Sequence, residues 1–182
     1  MVVLFVGRVH ELKGLEPLLR AFAQARQRVP DARLVIVGRD DGYLGRMLGL
    51  AQELAIADRF YFVGPLYRAE ALPAYIDCNL FCITPTHYEE TSLAALTACA
   101  CGRPVLINDR CDIPWLEDDQ GGRCVPHSVA NLAHAMINML ADPDGLEKQG
   151  RNARRMIEER FVWPRVLDQV EDMYRGVATR EA

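Results

Sequence analysis

The sequence predicts an α/β fold: a doubly wound parallel sheet of about six strands with helices on both faces. Short apolar runs alternate with amphipathic runs of 10–15 residues, which is typical of βαβ units with right-handed crossovers. Several apolar runs are followed by glycine, or by one further residue and then proline. Both patterns are typical of the end of a strand. Half of the 182 residues are hydrophobic, enough for one domain with a core covered on two faces.

Continuous apolar runs predict strands that are buried on both faces. The predicted strands are 2–6, 33–37, 59–63, 80–83, 104–107 and a short sixth at 123–125. Because the first strand begins at residue 2, we expect the chain to be a single domain taken from a longer protein.

Apolar residues at helical spacing predict amphipathic helices between these strands. The first helix carries this pattern at Leu15, Leu18, Leu19, Phe22 and Ala25. The predicted helices are 15–28, 43–54, 70–76, about 91–101, 128–141, about 144–160 and 164–175. Together with the strands they predict a Rossmann-like architecture.

Composition argues against several classes of protein. A net charge of −4 gives no reason to expect binding to nucleic acid or to an anionic membrane. No apolar run is long enough to span a bilayer, and the apolar start lacks a basic segment and a cleavage site. The six cysteines lack the paired spacing of zinc ligands. We therefore expect free thiols, no metal and a cytoplasmic location.

The segment 88–105 is the most informative part of the chain. Glu89 stands just before Thr91 and Ser92, which begin a small apolar helix. A helix N-terminus suits an anion, and a carboxylate accepts hydrogen bonds from hydroxyls. A sugar nucleotide has both kinds of group. In an open parallel sheet this segment falls at the carboxyl ends of the strands, where ligands bind.

The loop after the first strand falls at the same edge of the sheet. Gly7 permits a tight turn, and Arg8 and Lys13 place two cations in one short loop. Two cations suit a diphosphate, although an ordinary turn with two solvated charges remains an alternative. Neither a G-x-x-x-x-G-K-[ST] nor a G-x-G-x-x-G motif is present, so a P-loop or a dinucleotide site is not supported.

These two segments together resemble a known family. Gly7-Arg8…Lys13-Gly14 and Glu89-x7-Thr97-Ala98-x-Ala100-Cys101-Gly102-x-Pro104-Val105 are similar to the donor half of GT-B glycosyltransferases. The group they resemble is the retaining one called family 4, or glycosyl transferases group 1. Further matching motifs are Leu34-Val35-Ile36-Val37-Gly38, Phe62-Val63-Gly64, Leu72-Pro73-Ala74-Tyr75 and Glu159-Arg160-Phe161-Val162-Trp163. The resemblance spans essentially the whole chain.

The resemblance implies a nucleotide-diphosphate sugar as the donor, with no metal and no other cofactor. It implies that Arg8 and Lys13 hold the diphosphate and that Glu89 contacts the transferred sugar. The other residues that it places near the donor are Gly7, the backbone amides of Thr91, Ser92 and Leu93, and, near the base, Gly64, Leu66 and Tyr67. A transfer of the hexosyl type to an acceptor hydroxyl is expected.

The chain departs from the family pattern at two places. Thr97 stands where the family has a glutamate that accepts hydrogen bonds from the ribose, so we expect weaker or rearranged ribose binding. Glu90-Thr91-Ser92 replaces Gly-Phe-Gly, which puts side chains where backbone would approach the ligand. A helix cap formed by Thr91 or Ser92 is the alternative role for these hydroxyls.

The resemblance also implies partners outside this chain. The acceptor, a glycan, a lipid or a small molecule, would bind against an N-terminal domain that this chain lacks, and the full enzyme could associate peripherally with a membrane. We expect helix 164–175 to pack toward that domain, with Val166, Val170, Met173 and Tyr174 partly exposed, and little transferase activity from the chain alone. Two other functions stay open: a non-catalytic nucleotide-sugar-binding or regulatory module, and an epimerase.

Overall fold

A six-stranded parallel sheet forms the centre of the protein. The computed structural model describes residues 1–178, and its strands follow the order β3-β2-β1-β4-β5-β6. The strands are β1 (Val2–Val6), β2 (Arg33–Val37), β3 (Phe60–Gly64), β4 (Leu80–Ile83), β5 (Val105–Asn108) and β6 (Gly122–Val125). All neighbouring strands pair in parallel. The predicted fold class is confirmed.

Helices cover both faces of this sheet. They are α1 (Leu15–Arg26), α2 (Leu44–Glu53), α3 (Leu72–Asp77), α4 (Leu93–Ala100), α5 (Val129–Leu140), α6 (Pro143–Arg160) and α7 (Trp163–Ala178). On one face α1 packs against α2 and α5, and on the other α4 packs against α3 and α6. Among the described residues, no helix is both long and apolar enough to cross a bilayer.

Every predicted strand and helix is present; β1, β2 and β4 have the predicted bounds, and the other bounds differ by at most three residues. Two strands begin one residue later than predicted. β3 begins after Arg59 because the Arg59 N–H closes a turn with the carbonyl of Ile56. β5 begins after Pro104 because proline has no N–H to donate to a sheet. Two 3₁₀ turns, Glu11–Lys13 and Arg68–Ala71, were not predicted.

Burial explains why the central strands are continuously apolar. All four residues of β4 and the middle three of β1 are buried, whereas Tyr61 and Val63 on the edge strand β3 are exposed. The last helix, α7, is different: Val166 is half-buried, and Val170, Met173 and Tyr174 are exposed, as the sequence predicted. The core therefore lies over β1 and β4, and α7 contributes little to it.

The loop after β1 is joined to the end of β4 by a contact that only glycine permits. The fully buried Thr84 donates its hydroxyl to the carbonyl of Gly14 over 2.8 Å, and the N–H of Thr86 donates to the carbonyl of Leu12. Gly14 has φ +68°, and a Cβ added there would lie 1.6 Å from the Thr84 carbonyl oxygen. The two loops at this edge of the sheet are thus held in one fixed arrangement.

We predict that Gly14→Ala lowers the free energy of unfolding by about 3 kcal/mol or more, because the left-handed backbone and the contact with Thr84 both reject a Cβ. Gly49→Ala is the matched control: Gly49 lies inside α2, and its added Cβ would meet nothing within 4 Å. That change should be neutral or stabilise by up to about 1 kcal/mol. Urea denaturation measures both variants, and equal effects would contradict the prediction.

Candidate functional site

A cavity of about 330 Å³ opens at the carboxyl edge of the sheet, above β1 and β4. It lies at the point where the strand order reverses, which is where open α/β sheets bind their ligands. Its lining residues are Val6, Gly7, Arg8, Lys13, Ile83, Glu89, Thr91, Ser92, Leu93 and Ala94. Seven of the residues that the sequence analysis singled out therefore meet here: Gly7, Arg8, Lys13, Glu89, Thr91, Ser92 and Leu93.

An ion pair crosses the cavity. Lys13 Nζ donates to Glu89 Oε2 over 2.7 Å, and each side chain is 22% exposed. The two residues come from different loops, 76 positions apart, and no sequence pattern predicts their contact. Lys13 is therefore not a solvated charge on an ordinary turn, and its partner is the carboxylate that lines the same cavity.

The other loop cation is paired with an acid outside the cavity lining. Arg8 Nη1 lies 3.2 Å from Asp41 Oδ2, and Arg39 Nε lies 2.7 Å from the other oxygen of Asp41. The hydrogen bond from Arg39, followed by that from Arg8, lowers the pKa of Asp41. Asp41 thus stays ionised and holds two guanidinium groups near the ends of β1 and β2. Nothing in the sequence pattern predicts this role for Asp41.

The first turn of α4 lines the cavity. Ser92 is the N-cap: its hydroxyl accepts a hydrogen bond from the Ala95 N–H over 3.3 Å, and its side chain is buried. Leu93 and Ala94 follow it in the cavity lining, and the first N–H groups of a helix have no carbonyl partner within the helix. Of the two open roles for Ser92, the structure supports the cap. Thr91 is exposed at the cavity.

Backbone pairing fixes the loop that carries Glu89. The Glu89 N–H donates to the carbonyl of Arg110 over 2.7 Å, and the Asp112 N–H donates to the Glu89 carbonyl over 3.1 Å. The guanidinium of Arg110 also donates to the carbonyl of Thr86. Glu89 therefore depends on the segment after β5 for its position, while its carboxylate remains available to the cavity.

A buried asparagine supports the same loop. Asn108 Nδ2 donates to the carbonyl of Pro85 over 2.9 Å and lies 2.6 Å from His127 Nδ1, while its Oδ1 accepts from the Arg110 N–H. As the acceptor in that contact, His127 Nδ1 carries no proton. Burial, followed by the charge of Arg110, lowers the pKa of His127. In the sequence, the one sign of a role for Asn108 is that this polar residue ends the otherwise apolar run of β5.

Four predicted site residues lie outside the cavity. Gly64, Leu66 and Tyr67 follow β3, two strands from β1, and Tyr67 is 64% exposed. Thr97 lies one turn into α4, where its hydroxyl donates to the carbonyl of Leu93 over 2.7 Å. Among residues 1–178, no group of three or more His, Cys, Asp or Glu side chains is placed to hold a metal ion.

Comparison with known families shows which family this chain belongs to. Residues 1–142 match the family model described as glycosyl transferases group 1. The chain belongs to this family. Its resemblance to the donor half of GT-B enzymes, drawn from the loop motifs, is thereby confirmed.

The chain spans less than half the length of several proteins to which it is similar. The D-inositol 3-phosphate glycosyltransferase of Gordonia bronchialis is 34% identical over 183 residues, which cover 95% of this chain and 40% of that protein. Sucrose-phosphate synthase from Thermosynechococcus elongatus superposes with a TM-score of 0.82 at 31% identity, covering 98% of this chain and 46% of that one. Anabaena Alr3699/HepE, solved in complex with UDP, gives a TM-score of 0.85 at 23% identity, with 96% and 48% covered.

We predict that the free energy of unfolding falls as the pH drops below 6.5, because His127 takes up a proton more readily in the unfolded chain. Its folded pKa is lowered from 6.5, so its contribution is full above that pH and is lost below it. His127→Gln should flatten this part of the pH dependence, measured by urea denaturation between about pH 7.5 and about pH 5.5. His134→Gln, an exposed position on α5, is the control. Equal slopes in the wild type and His127→Gln would disprove the prediction.

Proposed function

We propose that this chain is the donor-binding domain of a retaining glycosyltransferase, which moves a sugar from a nucleotide-diphosphate sugar to an acceptor hydroxyl. The observation that carries the proposal is the cavity in which Arg8, Lys13, Glu89 and the start of α4 meet. Membership of the glycosyl transferases group 1 family supports it, as does the likeness in fold to a protein solved with UDP.

The diphosphate would lie between the first loop and α4. Lys13, Arg8 and the N–H groups at Leu93 and Ala94 supply positive charge and donors on the two sides of the cavity. Hydrogen bonds to charged groups are worth roughly 1.5–3 kcal/mol each. These groups stabilise the negative charge that develops on the leaving diphosphate, the role that a metal ion has in other enzymes. We therefore propose that no resident metal is needed.

The transferred sugar would lie against Glu89. An ionised carboxylate accepts hydrogen bonds from two or more hydroxyls, and the backbone pairing of Glu89 keeps it beside the phosphate site. A hexose carries such hydroxyls around its ring. Transfer of a hexosyl group with retention of configuration is the chemistry that the family resemblance implies for this arrangement.

The base and ribose would extend from the cavity toward β3. Arg39 follows β2, the strand between β1 and β3, and its pKa is raised mainly by Asp41 and to a smaller extent by Tyr67. We propose that Gly64, Leu66 and Tyr67 contact the base. Thr97 stands where the family has a charged acceptor. Its hydroxyl proton is already donated to the carbonyl of Leu93, so the side chain can offer the ribose only a neutral acceptor oxygen.

The remaining half of the enzyme would cover α7. This helix exposes apolar side chains along its length: Trp163, Leu167, Val170, Met173, Tyr174 and Val177. We propose that they pack toward an N-terminal domain, which also supplies the acceptor site for a glycan, lipid or small molecule. The chain alone would then have little transferase activity. A cytoplasmic enzyme with peripheral membrane association fits this proposal.

Lys13→Met should weaken binding of the matching nucleoside diphosphate by roughly 10- to 100-fold, because one charged hydrogen bond to phosphate is lost. Calorimetric titration with UDP, GDP and ADP, and with their glucose forms, measures the effect. Lys148→Met is the matched control, since Lys148 is exposed on α6, away from the cavity. Absence of binding by every nucleotide would refute the proposed function.

The neutral Thr97 favours a second candidate, a non-catalytic nucleotide-sugar-binding or regulatory module whose ribose contact has been lost. Thr97→Glu separates the two functions. If the site is a working one with rearranged ribose contacts, the substitution should change the affinity for the donor by less than about threefold. A gain of about tenfold or more would support the module instead. Ala100→Glu, at an exposed position of the same helix, controls for the added charge.

A further inference from the structure

Both cations that line the cavity are already paired with a carboxylate. Arg8 is paired with Asp41, and Lys13 is paired with Glu89. The two acids are placed differently: Glu89 lines the cavity, whereas Asp41 is outside the lining. A ligand that takes Arg8 therefore leaves Asp41 bound to Arg39, but a ligand that takes Lys13 leaves the Glu89 carboxylate facing it.

We propose that the Lys13–Glu89 ion pair makes the site select a sugar-loaded nucleotide over the free nucleoside diphosphate. The inference rests on the proposed function, and it assigns Glu89 a role in specificity in addition to a contact with the sugar. The pair acts by requiring that any ligand that captures Lys13 also satisfies Glu89.

Free nucleoside diphosphate meets half of this requirement. Its phosphate oxygens replace Glu89 as the partner of Lys13. Because Lys13 Nζ lies 2.7 Å from Glu89 Oε2, a phosphate oxygen bonded to the same nitrogen comes to rest within about 6 Å of the carboxylate. Two negative charges at that distance weaken binding by about threefold in bulk water and by more in a partly buried cavity. Within the described part of the chain, Lys13 is the one side chain that donates to the Glu89 carboxylate.

A nucleotide-diphosphate sugar meets both halves. The diphosphate takes Lys13, and the hydroxyls of the attached sugar donate to Glu89 in its place. The Glu89 carboxylate thus exchanges the Lys13 ammonium for sugar hydroxyls and always keeps a hydrogen-bond donor. After transfer the sugar departs, Glu89 loses these donors, and it competes again for Lys13. The same pair thus favours entry of the loaded donor and release of the spent nucleotide.

The test compares two ligands in four proteins, the wild type and three variants. Calorimetry measures the dissociation constants of a nucleoside diphosphate and of its glucose form, with the base chosen from UDP, GDP and ADP by the tightest binding. In Glu89→Gln the free diphosphate should bind about threefold or more tightly than in the wild type, because Lys13 is released and the facing charge is gone. The glucose form should bind no more tightly, so the preference for it should fall by about threefold or more.

Glu90→Gln is the matched control, since it removes the same charge one residue along, from an exposed side chain outside the cavity lining. It should leave the preference for the glucose form unchanged. Glu89→Asp keeps the charge and should show no gain for the free diphosphate. Circular dichroism confirms that each variant is folded.

The outcomes separate this inference from the proposed function. If the wild type binds both ligands and Glu89→Gln binds the free diphosphate no more tightly, the inference is wrong and donor binding stands. If the wild type binds neither ligand, both are wrong. A gain for the free diphosphate that also appears in Glu90→Gln would show a general effect of charge and overturn the inference.

Discussion

The contact between Gly14 and Thr84 is the constraint on which the site depends. β1 and β4 are neighbours in the sheet, yet their following loops leave in different directions to reach helices on opposite faces. Such loops would diverge if nothing joined them. The buried Thr84 hydroxyl and the glycine that permits its approach hold the two loops together. The cavity is the space that remains between loops joined in this way.

The electrostatics of the site follow from the same arrangement. A short loop with two cations and a helix N-terminus would together form a strongly positive cleft. The protein instead opposes each cation with a carboxylate, one outside the cavity lining and one within it. Such pairing keeps both cations in defined positions without a ligand. Because of this pairing, the affinity for phosphate depends on a difference: the contacts that the cations gain with phosphate, less the contacts that they lose with the carboxylates.

The sequence predicted the fold almost completely because its signals were local. Apolar runs and helical spacing need no knowledge of distant residues, and the elements they predicted differ from the structure mainly at their ends. The cavity residues were predicted from loop motifs and a family resemblance. Residues whose role is to support others were missed. Asp41 and Asn108 act through contacts with segments that are remote in sequence, and neither has a spacing pattern that reveals such a contact.

Thr97 and Ser92 illustrate a second limit. Each carries a hydroxyl that could serve a ligand or the backbone, and composition cannot distinguish these roles. In the structure the Ser92 hydroxyl caps α4 and that of Thr97 donates to a carbonyl within it. Both hydroxyls are therefore hydrogen-bonded to the backbone of the helix that carries them.

The backbone pairing of Glu89 with the segment after β5 has a consequence for the engineering of this domain. The two segments behave as one unit, although about twenty residues, including a helix and a strand, separate them in the chain. A loop transplanted from a relative at 88–92 would lose its register unless residues 110–112 came with it. Chimeras that aim to change the sugar should therefore exchange both segments at once, with the asparagine at position 108 retained as their common support.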